Sequence, residues 1–252
     1  MPIAVIAVAP LLLSCFDARM PDIRNIVILT GAGISAESGL ATFRGPDGLW
    51  EGHRVEDVCT PEALAHNPAL VHRFYDERRA KLAEVVPNPA HDALAALDHA
   101  WPGELLIVTQ NVDDLHERAG ASRLLHMHGE LMSALCAACG ASKPWHDPMP
   151  PETHCPFCEA PSLRPDIVFF GEMPYEMERI DAALREADLF VSIGTSGAVY
   201  PAAGFVQTAR HVGAHTLELN LDPSAGSIYF HETRIGAASA LVPQWVDEIL
   251  AL

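Results

Sequence analysis

The chain has 252 residues, 49% hydrophobic and 19% charged, which suits one large globular domain or a domain carrying a smaller insert and excludes a disordered polymer. A formal net charge of −17 argues against non-specific nucleic-acid binding, which needs clustered Lys and Arg. That acidity serves solubility and also tolerates lysine-rich substrates.

Pro2 to Leu13 is almost wholly apolar, but it is too short to span a bilayer and lacks the basic start of a secretory signal. We read residues 1–20 as an extension of unassigned role on a cytoplasmic protein with no membrane partner. Asn25 to Thr30 is the first expected strand, handing over to Thr-Gly-Ala-Gly, a turn through which a backbone can approach a pyrophosphate. The spacing departs from the common dinucleotide fingerprint. Gly31 and Gly33 fit, but the third glycine is Gly39, six residues on instead of three.

Thr60-Pro61 should cap a helix, and Asn67-Pro68 a second one with Leu70, Val71, Phe74, Leu82 and Val85 on its apolar face. Tyr75 and Arg78 share a face of this second helix, where the plain reading is an amphipathic surface helix. Ala90 to His99 reads as a third helix and Leu105 to Thr109 as a second strand. The alternation predicts a mostly parallel sheet covered by helices. Thr109-Gln110-Asn111-Val112-Asp113-Asp114 stands at that strand's carboxyl end, where open sheets place ligands, and Asp113 or Asp114 also suits a helix N-cap. Leu124 to Glu130 reads as a third strand ending at Gly129, and pattern alone does not separate His126 from His128.

Cys136-x2-Cys139 and Cys155-x2-Cys158 have the spacing of one structural four-thiolate zinc site. A disulfide is disfavoured in a chain without an export signal. Four ligands close the coordination shell, so this Zn2+ is structural. Lys143 is the one Lys or Arg between the knuckles, which counts against a nucleic-acid-binding ribbon. Cys15 and Cys59 match no motif and read as ordinary thiols. Leu163 to Glu172 is expected to return the chain to the sheet, its apolar part serving equally well as a core strand. Ile180 to Ala187 reads as a helix, Asp188 to Ile193 as a strand ending in Gly194-Thr195-Ser196, His215 to Leu219 as a strand ending in Asn220-Leu221-Asp222, and Val242 to Leu250 as the closing helix.

From Ile26 to the C-terminus these motifs, above all GAGISAESGLATFRGPDGLW, resemble in order those of the sirtuins, NAD-dependent protein-lysine deacylases, of the bacterial type with a Tyr-x-x-Arg pair. The resemblance implies an α/β fold: a doubly wound, Rossmann-like, mostly parallel sheet (parts 21–50, 87–130 and 164–252) with a small domain made of a helical part (51–86) and a zinc ribbon (131–163). It implies NAD as cosubstrate, held by Gly31, Ala32, Gly33, Ser35, Glu37, Phe43, Arg44, Trp50, Gln110, Asn111, Asp113, Gly194, Thr195, Ser196, Asn220, Leu221, Asp222 and Ala238. His128, in His-Gly-Glu, becomes the base that deprotonates a ribose hydroxyl. Tyr75 and Arg78 would receive the distal carboxylate of succinyl- or malonyl-lysine, and Val168, Phe169, Phe170, Gly171 and Glu172 would line the acyl-lysine tunnel beside an added peptide strand. The metal ligands are Cys136, Cys139, Cys155 and Cys158. The implied reaction moves an acyl group from protein lysine to ADP-ribose and releases nicotinamide. A mainly deacetylating enzyme, a mono-ADP-ribosyltransferase and a non-catalytic NAD or zinc-ribbon module are the alternatives. The expected partners are acylated lysine side chains of proteins, with no nucleic acid; the oligomeric state is left open, a monomer being compatible.

Overall fold

The computed structural model describes residues 23–42 and 52–252. Six strands form one wholly parallel sheet: β1 (Asn25–Thr30), β2 (Glu104–Thr109), β3 (Leu124–His126), β7 (Leu189–Ile193), β8 (His215–Asn220) and β9 (Glu232–Ile235). Their spatial order is β3-β2-β1-β7-β8-β9, the doubly wound order with its reversal between β1 and β7. The expected fold class is borne out. β1 is apolar on both faces because both faces are covered. Ile26 and Ile28 meet Leu94 and Leu97 of α5 (Pro89–Ala100) and Trp245 and Ile249 of α9 (Ala238–Leu250). Val27 and Leu29 belong to the opposite core, with Ile180 and Leu184 of α7 (Met177–Arg185) and Phe205 and Val206 of α8 (Phe205–His211).

Between β1 and β2 the chain makes α1 (Ala32–Ser35), α2 (Val55–Val58), α3 (Pro61–His66) and α4 (Pro68–Leu82). The side chains of Thr60 and Asn67 accept from the N–H groups of Ala63 and Leu70, so both caps form where Ser/Thr/Asn-Pro spacing places them. After α6 (Leu115–Ala119) and β3, three antiparallel strands make a second sheet: β4 (Gly129–Cys136), β5 (Ser142–Pro144) and β6 (Leu163–Ile167), in the order β5-β4-β6.

Three sequence expectations are corrected here. Leu163–Ile167 does not return to the large sheet. It pairs with β4, and Val168 to Gly171 leave it as irregular chain. An apolar run marks burial, and burial in the small sheet looks the same as burial in the large one. The third strand ends at His126 rather than at Gly129, whose φ of +85° and close approach to Asp166 O instead open β4. The closing helix begins four residues before Val242, with Pro243 inside it. Pro243 gives up the bond to the Ser239 carbonyl, and Trp245, Val246 and Ile249 beyond it keep the helix on the sheet.

Candidate active site

The reversal between β1 and β7 brings two glycine turns together. Gly31 N–H donates to Ile193 O at 3.0 Å and Gly33 N–H to Gly194 O at 2.9 Å. A Cβ on Gly33 would lie 2.7 Å from Gly194 Cα, and one on Gly194, whose φ is +62°, 2.5 Å from Ile34 N. The glycines are therefore demanded by the contact between the turns themselves, before any ligand arrives.

Around these turns opens a cleft of about 840 Å³. Its lining includes, from the β1 turn, Gly31, Ala32, Gly33, Ser35 and Glu37; from the β2 end, Gln110, Asn111 and Asp113; and His128. Gly194, Thr195, Ser196, Asn220, Leu221, Asp222 and Ala238 line its other side. Arg78 and the run Val168 to Glu172 close the far end. Phe43, Arg44 and Trp50, expected at the cofactor, lie outside the described residues. So does Cys15.

His128 is half-buried in this wall. Its Nδ1 is 3.2 Å from Gln110 O. A carbonyl oxygen only accepts, so Nδ1 carries the hydrogen and the basic lone pair is on Nε2. Burial lowers the imidazole's pKa, the Gln110 contact opposing it, so the ring is neutral at pH 7. His126 is held quite differently. Nε2 meets Glu117 Oε1 at 2.7 Å and Nδ1 meets Asn111 O at 2.9 Å. Burial lowers His126, but the bond to Glu117 and its charge outweigh it and the net pKa is raised. The structure separates the two histidines that spacing could not.

Asp113 is buried. Oδ1 accepts from Leu115 N at 3.2 Å and Oδ2 from the Ser35 hydroxyl at 3.0 Å. Burial raises its carboxyl pKa against those bonds. The Glu37 carboxylate accepts from Ser239 N at 2.9 Å and Ser239 Oγ at 2.7 Å, capping the start of α9, and those bonds lower its pKa. Asn220 donates to Thr195 O at 2.7 Å, tying the β7 turn to the β8 turn.

At the far end, the Arg78 guanidinium sits 5.3 Å from the centre of the Phe74 ring. Tyr75 is completely buried and stacks on Phe169 at 6.0 Å, with its hydroxyl on the Cys59 thiol. It is not among the lining residues, and Cys59 and Phe169 form the wall in front of it. Burial raises both the Tyr75 and the Cys59 pKa, so both are protonated at neutral pH. Cys59 and Lys81, which sequence reasoning passed over, line the cleft. Neither is announced by a motif. Glu172 faces Arg164 with both oxygens, at 2.6 and 2.9 Å, and accepts from Phe169 N at 2.7 Å. Glu172 lines the cleft, and both its oxygens are engaged in holding the Phe169 to Gly171 turn.

The four cysteine sulfurs lie within 4.8 Å of one another. The pairs Cys136–Cys158 and Cys139–Cys155 are 3.7 and 3.9 Å apart, matching the edge of about 3.8 Å for a tetrahedron with zinc–sulfur bonds of ~2.3 Å. Both knuckles share one backbone pattern. Cys136 N–H donates to Ala141 O and receives Gly140 N–H at its own carbonyl, and Cys155 does the same with Ala160 and Glu159. The donor set fits one structural Zn2+. The segment is clamped to α4, since Asp76 accepts from Met149 N at 3.0 Å and His72 Nδ1 meets Met149 O at 2.7 Å.

Residues 31–201 match the model of the Sir2 family. A NAD-dependent protein deacylase of Vibrio parahaemolyticus is 56% identical over 232 residues, covering 91% of this chain and 96% of that protein. One of Caulobacter vibrioides is 52% identical, covering 92% and 99%. Among solved structures, a complex of a Sir2 homolog with NAD superposes with a TM-score of 0.83 at 36% identity, covering 90% of each chain. Sir2 bound to acetylated peptide gives a TM-score of 0.78 at 26% identity, covering 90% and 94%.

Proposed function

The chain belongs to the Sir2 family, and from that premise we propose that it removes acyl groups from protein lysines using NAD, giving nicotinamide and O-acyl-ADP-ribose. One observation carries the reading. His128 presents a neutral imidazole, its Nε2 lone pair fixed by the Gln110 carbonyl, in the wall of a cleft that also contains both glycine turns.

The chemistry needs an acyl oxygen to displace nicotinamide at the ribose carbon, then a ribose hydroxyl to take the acyl group as its proton leaves. Nε2 of His128 suits that proton. The two glycine turns, the β8 turn and the N-terminus of α9 are the parts we assign to the adenosine and phosphates. Asn111 and Asp113 are assigned to the nicotinamide ribose, and the Val168 to Gly171 run to the acyl-lysine. Arg78 supplies a fork for a distal carboxylate, as on succinyl- or malonyl-lysine. Tyr75, completely buried behind Cys59 and Phe169, backs that wall instead of reaching the carboxylate.

The test incubates the protein with NAD and matched acetyl-, succinyl- and malonyl-lysine peptides and follows all products by mass. Deacylated peptide and O-acyl-ADP-ribose should form in equal amounts and vanish with His128→Tyr. ADP-ribosylated peptide that survives that change would favour ADP-ribosyl transfer instead, and no NAD turnover at all would leave a binding module.

A further inference from the structure

A thiol divides the far end of the cleft. Cys59 closes the turn between α2 and α3, its N–H donating to Val55 O at 2.8 Å and its carbonyl accepting Phe170 N–H at 3.0 Å. Bonded on both sides, its backbone has little freedom, and the residue stands at a fixed point of the wall, 4% exposed. The Tyr75 ring behind it is fixed as firmly. It stacks on Phe169 at 6.0 Å and meets the Phe74 ring edge-on at 5.1 Å, and its hydroxyl is hydrogen-bonded to the Cys59 sulfur. Arg78, one helical turn along α4, lines the cleft with its guanidinium over the Phe74 ring.

Two donors on one face of α4 are therefore on opposite sides of a partition. The guanidinium meets the cleft, whereas the phenol is engaged with sulfur, a weak acceptor. Burial keeps the thiol protonated against the Tyr75 bond and the charges of Arg78 and Arg164, so toward a carboxylate it offers only a weak S–H. A phenol O–H makes a much stronger bond to a carboxylate than to a thiol. We infer that Cys59 is a specificity-determining residue of the acyl end: its side chain screens the Tyr75 hydroxyl from the distal carboxylate of an acyl group, so that Arg78 meets that charge without the phenol. The inference rests on the deacylase reading and sharpens its account of the acyl end.

A double-mutant cycle on Cys59→Ala and Tyr75→Phe tests it. The readout is the ratio of kcat/KM for succinyl-lysine peptide to that for butyryl-lysine peptide, which carries the same chain without the carboxylate. Removing the sulfur uncovers the phenol, so Cys59→Ala should raise the ratio about tenfold, the effect of one new hydrogen bond to a charged group. Tyr75→Phe keeps the ring contacts and removes only the hydroxyl. With Cys59 in place it should move the ratio by less than about twofold, and in the Cys59→Ala background it should abolish the gain. An unchanged ratio in Cys59→Ala would overturn the inference. So would a gain that survives Tyr75→Phe, since added room and not the phenol would then be its cause. If Cys59→Ala does not fold, Tyr75→Phe decides alone: a ratio within about twofold of wild type supports the screen, and a fall of about tenfold overturns it. A wild-type protein inactive on every acyl peptide would sink the deacylase reading, and this inference with it. An active protein that fails the cycle would sink the inference alone.

Discussion

Glu172 distinguishes a residue that touches substrate from one that holds the wall the substrate meets. Its carboxylate forks onto Arg164 at 2.6 and 2.9 Å and takes Phe169 N–H at 2.7 Å, while the guanidinium lies 4.1 Å from the centre of the Phe169 ring. Arg164 is 9% exposed, so it depends on that carboxylate for its charge partner. Glu172→Gln keeps the shape and one acceptor for Phe169 N–H, but its amide nitrogen faces a guanidinium that cannot accept. A fully buried pair broken this way costs about 3–5 kcal/mol, and with Glu172 partly exposed we expect about 2 kcal/mol. For a chain of this size that is a fall of about 4–8 °C in Tm. Because the Phe169 to Gly171 turn would loosen, the KM for acyl peptide should rise more than kcat falls. The pH dependence adds a control. Burial raises the Glu172 pKa, but the Arg164 and Phe169 hydrogen bonds outweigh it and the net shift is downward. Such a group contributes stability above its unfolded pKa and loses it as pH falls through the folded one. Wild type and Glu172→Gln should therefore converge in acid denaturation. The assays are thermal melts across pH and initial rates over a peptide series. Unchanged melting with a collapsed kcat would refute the reasoning and return Glu172 to direct substrate contact.

Arg78→Met keeps an unbranched stem over Phe74 and removes the fork. Loss of a charge-assisted, two-point contact should cut kcat/KM for succinyl-lysine peptide by about 10- to 100-fold and for acetyl-lysine by less than about threefold; equal losses on the two peptides would remove Arg78 from acyl recognition. Metal analysis should find one zinc per chain, and its extraction by a strong chelator should lower Tm and raise the KM for acyl peptide, because Met149 is bonded to Asp76 and His72 on the helix that carries Arg78. An unaltered melt after complete extraction would contradict a structural metal.

The parts of the fold legible in the sequence are those set by local chemistry. The caps at Thr60 and Asn67, β1, β2, β7 and β8 follow from residues within one turn or one strand, and they form at or within a residue or two of their expected bounds. What escaped is set by partners far away. Nothing local to Leu163–Ile167 tells a strand of the small antiparallel sheet from one of the large parallel sheet. Cys59 gains its place in the cleft from α4 and Phe169, and the phenol of Tyr75 ends up behind that thiol because the ring stacks on Phe169. His91 lies 56 residues from Ser35, and its neighbours in sequence read only as a helix start.

The two glycine turns make the same point about cause. Read along the chain, Gly31 and Gly33 belong to a turn suited to a pyrophosphate and Gly194 to a second small-residue turn at a strand's carboxyl end. In the fold each forbids a Cβ on the other: a Cβ on Gly31 would lie 2.8 Å from Gly194 O, one on Gly33 2.7 Å from Gly194 Cα, and one on Gly194 2.5 Å from Ile34 N. That interlock stands where the strand order reverses, so the two turns can stand side by side at the cleft only because neither has a side chain in the other's way. The gap from Gly33 to Gly39 then has a physical reason as well. Ile34 must enter the core beneath β1, and Ser35 must turn inward to His91, Asn111 and Asp113, before Gly39, at φ +99°, releases the chain outward. A third glycine three residues after Gly33 would stand at Ala36, directly after the serine whose hydroxyl donates to Asp113 and accepts from Asn111. The longer spacing keeps a short helical segment there, and with it the orientation of Ser35.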